Sequence, residues 1–139
     1  MKIYFAGAIR GGRDDAESYE KIIKCLTGYG DVLTEHVGEV TMGNTGEKEV
    51  SDKFIFERDI EWLGSADCVV AEVTVPSLGV GYEIGIAEKL SKPVLCLYHP
   101  QAGKRLSAMI RGNRNIICCE YESLDEAEKY IKSFMEKLG

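Results

Sequence analysis

The chain alternates short apolar runs with longer segments whose apolar residues recur at helical spacing. The first run, Ile3-Tyr4-Phe5-Ala6, predicts a strand over residues 2–8. Residues 14–27 then carry Tyr19, Ile22, Ile23 and Leu26 on one helical stripe, with Gly28 as a stop. A short strand is expected at 31–34. Residues 35–52, rich in Gly, Thr and Glu, read as a long loop and a candidate lid. Ser51 or Asp52 can cap a second helix that runs to about Leu63 and ends at Gly64. Residues 67–73 form a continuous apolar strand with Glu72 near its end, and 76–79 read as a turn. A helix at 80–90, a strand at 93–98 and a loop at 99–115 with a short helix near 106–110 follow. A strand at 116–120 and a helix at 124–138 complete the chain.

This is a strand–helix unit repeated five times. The third and fourth strands are apolar throughout, as expected when both faces of a sheet are covered. The pattern predicts one α/β domain over residues 1–139: a Rossmann-like, doubly wound, five-stranded parallel sheet in the order 2-1-3-4-5. Ligands of such sheets sit at the carboxyl ends of the strands, beside the switch between strands one and three. That rule singles out residues 7–13, 72–83 and 99–111.

Two constellations there can carry chemistry. Gly7-Ala8-Ile9-Arg10-Gly11-Gly12-Arg13 follows strand one and precedes a helix. Its glycines let backbone N–H groups approach an anion, and Arg10 or Arg13 can pair with phosphate oxygens. A tight turn with solvated arginines is the plainer alternative. Ser77-Leu78-Gly79-Val80-Gly81-Tyr82-Glu83 opens the third helix. The positive end of that helix favours a carboxylate, so Glu83 is expected to stay ionised at neutral pH and suits a nucleophile in glycosyl transfer. It equally suits a residue that merely complements the helix dipole. Among the other acids, Glu57 and Glu61 share a helix face apart from Asp59, Asp67 lies at the far end of its strand, and Glu72 stands at the expected crevice.

Composition narrows the field. The 139 residues carry a net charge of −6, which argues against a nucleic-acid or membrane-surface partner while leaving room for a local basic pocket. No apolar run is long enough for a membrane span, and a cytoplasmic location is expected. The five cysteines include no Cys-x-x-Cys; Cys68, Cys96, Cys118 and Cys119 read as small core residues in a reduced compartment. His36 and His99 lack metal-ligand spacing, so no metal or cofactor is expected. Neither a Walker loop nor a Gly-x-Ser-x-Gly motif occurs, which sets aside phosphoryl transfer and serine hydrolysis. Trp62 reads as core rather than as a stacking platform.

Read together, residues 4–13, Leu33-Thr34-Glu35-His36-Val37, Glu61-Trp62-Leu63, Ala71-Glu72-Val73-Thr74, residues 76–83 and residues 106–112 resemble the 2′-deoxynucleoside 5′-monophosphate N-hydrolases of the nucleoside 2-deoxyribosyltransferase superfamily. The resemblance spans nearly the whole chain. It implies a homodimer acting on a small deoxynucleotide, releasing the free base and 2-deoxyribose 5-phosphate. It makes Glu83 the nucleophile, Asp59 the acid that assists the leaving base and Tyr4 the residue that orients Glu83. It makes Gly7, Ile9, Arg10, Gly11, Ser77 and Gly79 substrate and phosphate contacts, and Ser107 a phosphate contact from the neighbouring subunit. The family often carries a hydroxyl residue where this chain has Ala8. One hydrogen bond to a charged group, about 1.5–3 kcal/mol, would then be missing from the phosphate site.

The expected reaction is a two-step displacement through a deoxyribosyl ester on Glu83, resolved by water. A deoxyribosyltransferase that passes the sugar to a second base shares the same nucleophile. A nucleotide-binding module without catalysis would account for the glycine loop but leave Tyr4, Asp59 and Glu83 without a purpose.

Overall fold

The computed structural model describes residues 1–9, 13–35 and 50–139. Five strands, β1 (Lys2–Gly7), β2 (Asp31–Leu33), β3 (Cys68–Glu72), β4 (Val94–Tyr98) and β5 (Ile117–Glu120), form one parallel sheet in the order β2-β1-β3-β4-β5. Around it lie α1 (Arg13–Thr27), α2 (Asp52–Ser65), α3 (Leu78–Lys89), the short α4 (Ala108–Arg111) and α5 (Leu124–Leu138). The expected fold class and strand order are therefore observed. No described helix is long and apolar enough to cross a membrane.

The strands divide their side chains by the period of two. Ile3 and Phe5 of β1, Cys68 and Val70 of β3, and Leu95 and Leu97 of β4 face one layer, where Ile22 and Leu26 of α1 meet Ile131 and Phe134 of α5. Tyr4, Ala6, Val69, Ala71, Val94 and Cys96 face the other, against Leu63 of α2 and Val80, Ile84 and Ala87 of α3. β3 and β4 are buried along their whole length. Each fully buried Leu or Ile contributes about 1.5–3 kcal/mol from surface removed from water. Two glycines, one beside β1 and one at its end, sit at points of close approach. A Cβ on Gly30 would stand 2.3 Å from the Met1 carbonyl oxygen, so only glycine lets the chain enter β2 beside the amino terminus. A Cβ on Gly7 would press at 3.2 Å against the rings of Phe5 and Tyr19, which pack edge to face.

Four expectations change. Gly64 does not end α2, which continues through Ser65 and closes where the Ala66 N–H donates to the Trp62 and Leu63 carbonyls. Gly64 lacks the left-handed backbone by which glycine terminates helices, and nothing packs on it. The expected turn at 76–79 is the start of α3: Ser77 is its N-cap and accepts from the Val80 N–H at 3.3 Å. Cys68 and Cys96 are core residues, but Cys118 and Cys119 are only half-buried because β5 is an edge strand. Glu72 is fully buried on the α1–α5 face of the sheet, away from the α2–α3 face. It accepts from the Thr74 N–H (2.7 Å), the Thr74 hydroxyl (2.9 Å) and the Tyr121 hydroxyl. It ties the ends of β3 and β5 together and does not enter the crevice.

Candidate active site

At the carboxyl edge of the sheet, on the α2–α3 face, lies a cleft of ≈ 250 Å³. α2 supplies one wall through Asp52, Ile55, Phe56, Asp59 and Ile60, a stripe at helical spacing. Ser51 caps that helix, accepting from the Phe54 N–H at 3.1 Å. The facing wall is the start of α3, with Ser77, Gly79, Val80, Tyr82 and Glu83. Gly7 at the end of β1, Ile9 beyond it and Glu35 after β2 complete the lining. Phe56 and Tyr82 meet across the cleft with ring centroids 6.2 Å apart.

Glu83 is set in the second turn of α3 and is held from below. Tyr4 points from β1 toward α3, and its hydroxyl donates to Glu83 Oε2. The other oxygen faces Gly79: a Cβ there would stand 3.9 Å from Glu83 Oε1 and 3.8 Å from Ser77 Oγ. Glycine at 79 thus keeps a side chain from standing before the carboxylate. Ser77 Oγ is engaged as an acceptor by its cap, so its proton is available to a ligand.

The proton affinity of Glu83 departs from the sequence expectation. Burial pushes its carboxyl up from 4.5 to about 7; the Tyr4 hydrogen bond pulls the other way, and the charge of Asp59 adds to the rise. Burial thus works against the charged form that the start of α3 is expected to favour. The Tyr4 hydroxyl is itself pushed far up, by burial and then by the charges of Glu83, Asp59 and Glu35, so it stays a donor.

Of the residues expected in the site, the structure brings together Tyr4, Gly7, Ile9, Asp59, Ser77, Gly79 and Glu83. Arg10, Gly11 and most of the candidate lid, residues 36–49 with His36, lie outside the described residues. Ala8 is buried, between Gly7 and Ile9, which line the cleft. Ser107 is not in this cleft. It caps α4, accepts from the Met109 N–H at 3.2 Å and lines a neighbouring cavity of ≈ 380 Å³ that shares Ser77 and Val80 with the first.

Sequence reasoning missed Glu35 and Arg58. Arg58 donates to Asp59 Oδ1 at 3.1 Å and to Glu35 Oε2 at 3.3 Å, with its guanidinium carbon 4.7 Å from the centre of the Trp62 ring. Trp62 is therefore a half-buried platform as well as a packing residue. The carboxyl-end rule could have found Glu35, which follows β2; Arg58 left no such signal. His99 also lies elsewhere, its N–H donating to Thr74 Oγ1 and its Nδ1 2.9 Å from the Tyr121 carbonyl oxygen.

Similarity to known proteins agrees with this geometry. A Tetraodon nigroviridis protein named 5-hydroxymethyl-dUMP N-hydrolase is 52% identical over 138 residues, covering 96% of each chain. A Danio rerio protein of the same name is 48% identical over 140 residues, covering 99% of this chain and 98% of its own. The structure of a Clostridium botulinum CMP N-glycosidase superposes with a TM-score of 0.70 at 21% identity, over 96% of this chain and 99% of the other, which speaks to the shared fold. The family pattern described as nucleoside 2-deoxyribosyltransferase matches residues 3–128. With that match running from β1 to the start of α5, the chain belongs to the nucleoside 2-deoxyribosyltransferase family.

Proposed function

We propose that the protein hydrolyses the N-glycosidic bond of 2′-deoxynucleoside 5′-monophosphates, giving the free base and 2-deoxyribose 5-phosphate, with Glu83 as nucleophile. The observation that carries this is the Glu83 carboxylate, hydrogen-bonded by Tyr4 and lining one cleft with Asp59, Gly7 and Ser77. The names of the close relatives support the reaction class.

Glu83 Oε1 attacks the anomeric carbon as the carbon–nitrogen bond breaks, and the bonding pair leaves with the base. The departing base takes up one proton, either from a protonated Asp59 or from a water that Asp59 holds. Water then adds to the anomeric carbon, breaking the ester bond to Glu83, and the proton it loses restores the donor, completing 2-deoxyribose 5-phosphate. The absence of a 2-hydroxyl removes an electron-withdrawing group beside the developing cation and favours deoxy substrates. Ser77, the amides of residues 7–12 and Arg10 anchor the phosphate, whose binding fixes the sugar for attack. Tyr82, Phe56, Ile55 and Ile60 offer apolar and aromatic surface to a base.

The active unit in this reading is a homodimer in the cytosol. Leu78 (97% exposed) and Met109 (81% exposed) line the Ser107 cavity, where a second copy would cover them. Ser107 would then reach the phosphate of the neighbouring site.

The test is chromatography of reactions with 5-hydroxymethyl-dUMP, dGMP, GMP and deoxyguanosine, each with and without a free acceptor base. Free base and 2-deoxyribose 5-phosphate from a deoxynucleotide, unchanged by the acceptor, is the expected result. A new nucleotide built on the acceptor would make the protein a transferase. Tight nucleotide binding without base release would make it a binding module.

A further inference from the structure

Consecutive residues of a helix point in directions roughly 100° apart and do not face each other. The 3.1 Å contact between Arg58 and Asp59 is therefore not a by-product of α2. Two contacts place the guanidinium: Trp62, one turn along α2, takes it on its ring face, and Glu35, from beyond the end of β2, takes its second nitrogen. The three charged side chains are only 16%, 14% and 13% exposed for Arg58, Glu35 and Asp59, so water screens the group weakly. Asp59 and Glu35 both line the cleft of Glu83, and both act electrostatically on Tyr4.

We propose that Arg58 is a positioning residue: it holds the Asp59 and Glu35 carboxylates side by side on the cleft wall and fixes the aspartate for its work on the leaving base. The inference rests on the hydrolase reading above for the word "leaving", but the arrangement itself does not. Without the guanidinium, two carboxylates would share one poorly solvated wall beside Glu83, and like charges at such range drive one of them to take up a proton. Among the described residues, the charged and titratable groups seen to act with Asp59 are Arg58 on its own helix, Glu35 after β2, Tyr4 on β1 and Glu83 on α3, and Arg58 is the cation of that set. A guanidinium bonded to one carboxylate oxygen favours the charged form. Asp59 thus meets the base as an anion that accepts from an N–H or orders a water, and the proton the base gains comes by way of that water. This separates two routes that the presence of Asp59 alone leaves equivalent.

The experiment follows the Asp59 carboxyl carbon by NMR through a pH titration in the wild type, Arg58→Gln and Arg58→Lys, with Asp59→Asn to assign the signal. Removing the guanidinium is expected to raise the Asp59 midpoint by about one pH unit or more, with Arg58→Lys recovering part of the shift. An unchanged midpoint in both variants overturns the proposal. This arm decides whether or not the protein is a hydrolase. In the kinetic arm, Arg58→Gln is expected to lower kcat for base release about tenfold with little change in KM, and to add almost nothing in an Asp59→Asn background. An equal loss in both backgrounds would mean that Arg58 does not act through Asp59. Absence of base release by the wild type would instead refute the hydrolase reading and leave the titration to judge Arg58.

Discussion

Glu83→Gln is expected to bind deoxynucleotides but release base more slowly by on the order of 10³-fold or more, because on the proposed mechanism it removes the group that bonds to the sugar. The same substitution is expected to stabilise the fold above neutral pH. The folded-state affinity of Glu83 for its proton, about 7, exceeds the ordinary 4.5, so folding favours the protonated form across that window. Stability is then lost as pH rises through it, and a neutral amide at 83 escapes that loss. Thermal melts should show the variant higher than the wild type by several degrees at about pH 8 and nearly level with it at about pH 4. A variant both slower and less stable at high pH would point to a structural role for the carboxylate.

The second large effect concerns pH. On the proposed mechanism the attacking form of Glu83 is the anion, so kcat/KM should fall on the acid side with a midpoint near the value of about 7 to which burial pushes the group. The two neighbours should move that limb in opposite directions. The Tyr4 hydroxyl stabilises the anion, and a hydrogen bond to a charged group is worth about 1.5–3 kcal/mol, so Tyr4→Phe should shift the limb upward by about one to two pH units. Asp59 raises the proton affinity of Glu83 through its charge, so Asp59→Asn should shift the limb downward even as it lowers the plateau. Kinetics across about pH 5 to 9 would check both signs. A limb that moves the same way in both variants would contradict the electrostatic arrangement described.

The parts of the molecule that depend on periodicity were legible in the sequence. β3 and β4 read as apolar runs because both of their faces are covered, and the stripe of Tyr19, Ile22, Ile23 and Leu26 marks α1 unambiguously. The carboxyl-edge rule then pointed to Gly7, Ser77 and Glu83. Depth and direction were less legible. Glu72 ends a strand at the right edge of the sheet but on the wrong face, and the choice between faces depends on which helices pack where. The proton affinity of Glu83 follows from burial by α2 and β1, which local sequence does not report. The contact between Arg58 and Asp59 runs against helical spacing and depends on Trp62 and on Glu35, 23 residues away from Arg58 along the chain. Tyr4 emerged from family resemblance alone; its hydroxyl reaches Glu83 across 79 residues of sequence.

The account turns on whether the sugar passes through a bond to Glu83. The most direct measurement is base release from a deoxynucleoside 5′-monophosphate in water containing methanol, with the methyl 2-deoxyriboside 5-phosphate examined by NMR. Methyl glycosides do not interconvert in solution, so the anomer records the number of displacements. Double displacement on Glu83 predicts the β anomer, the configuration of the substrate. The α anomer would mean that solvent attacks the sugar directly, with Glu83 acting as a base, and would contradict the account.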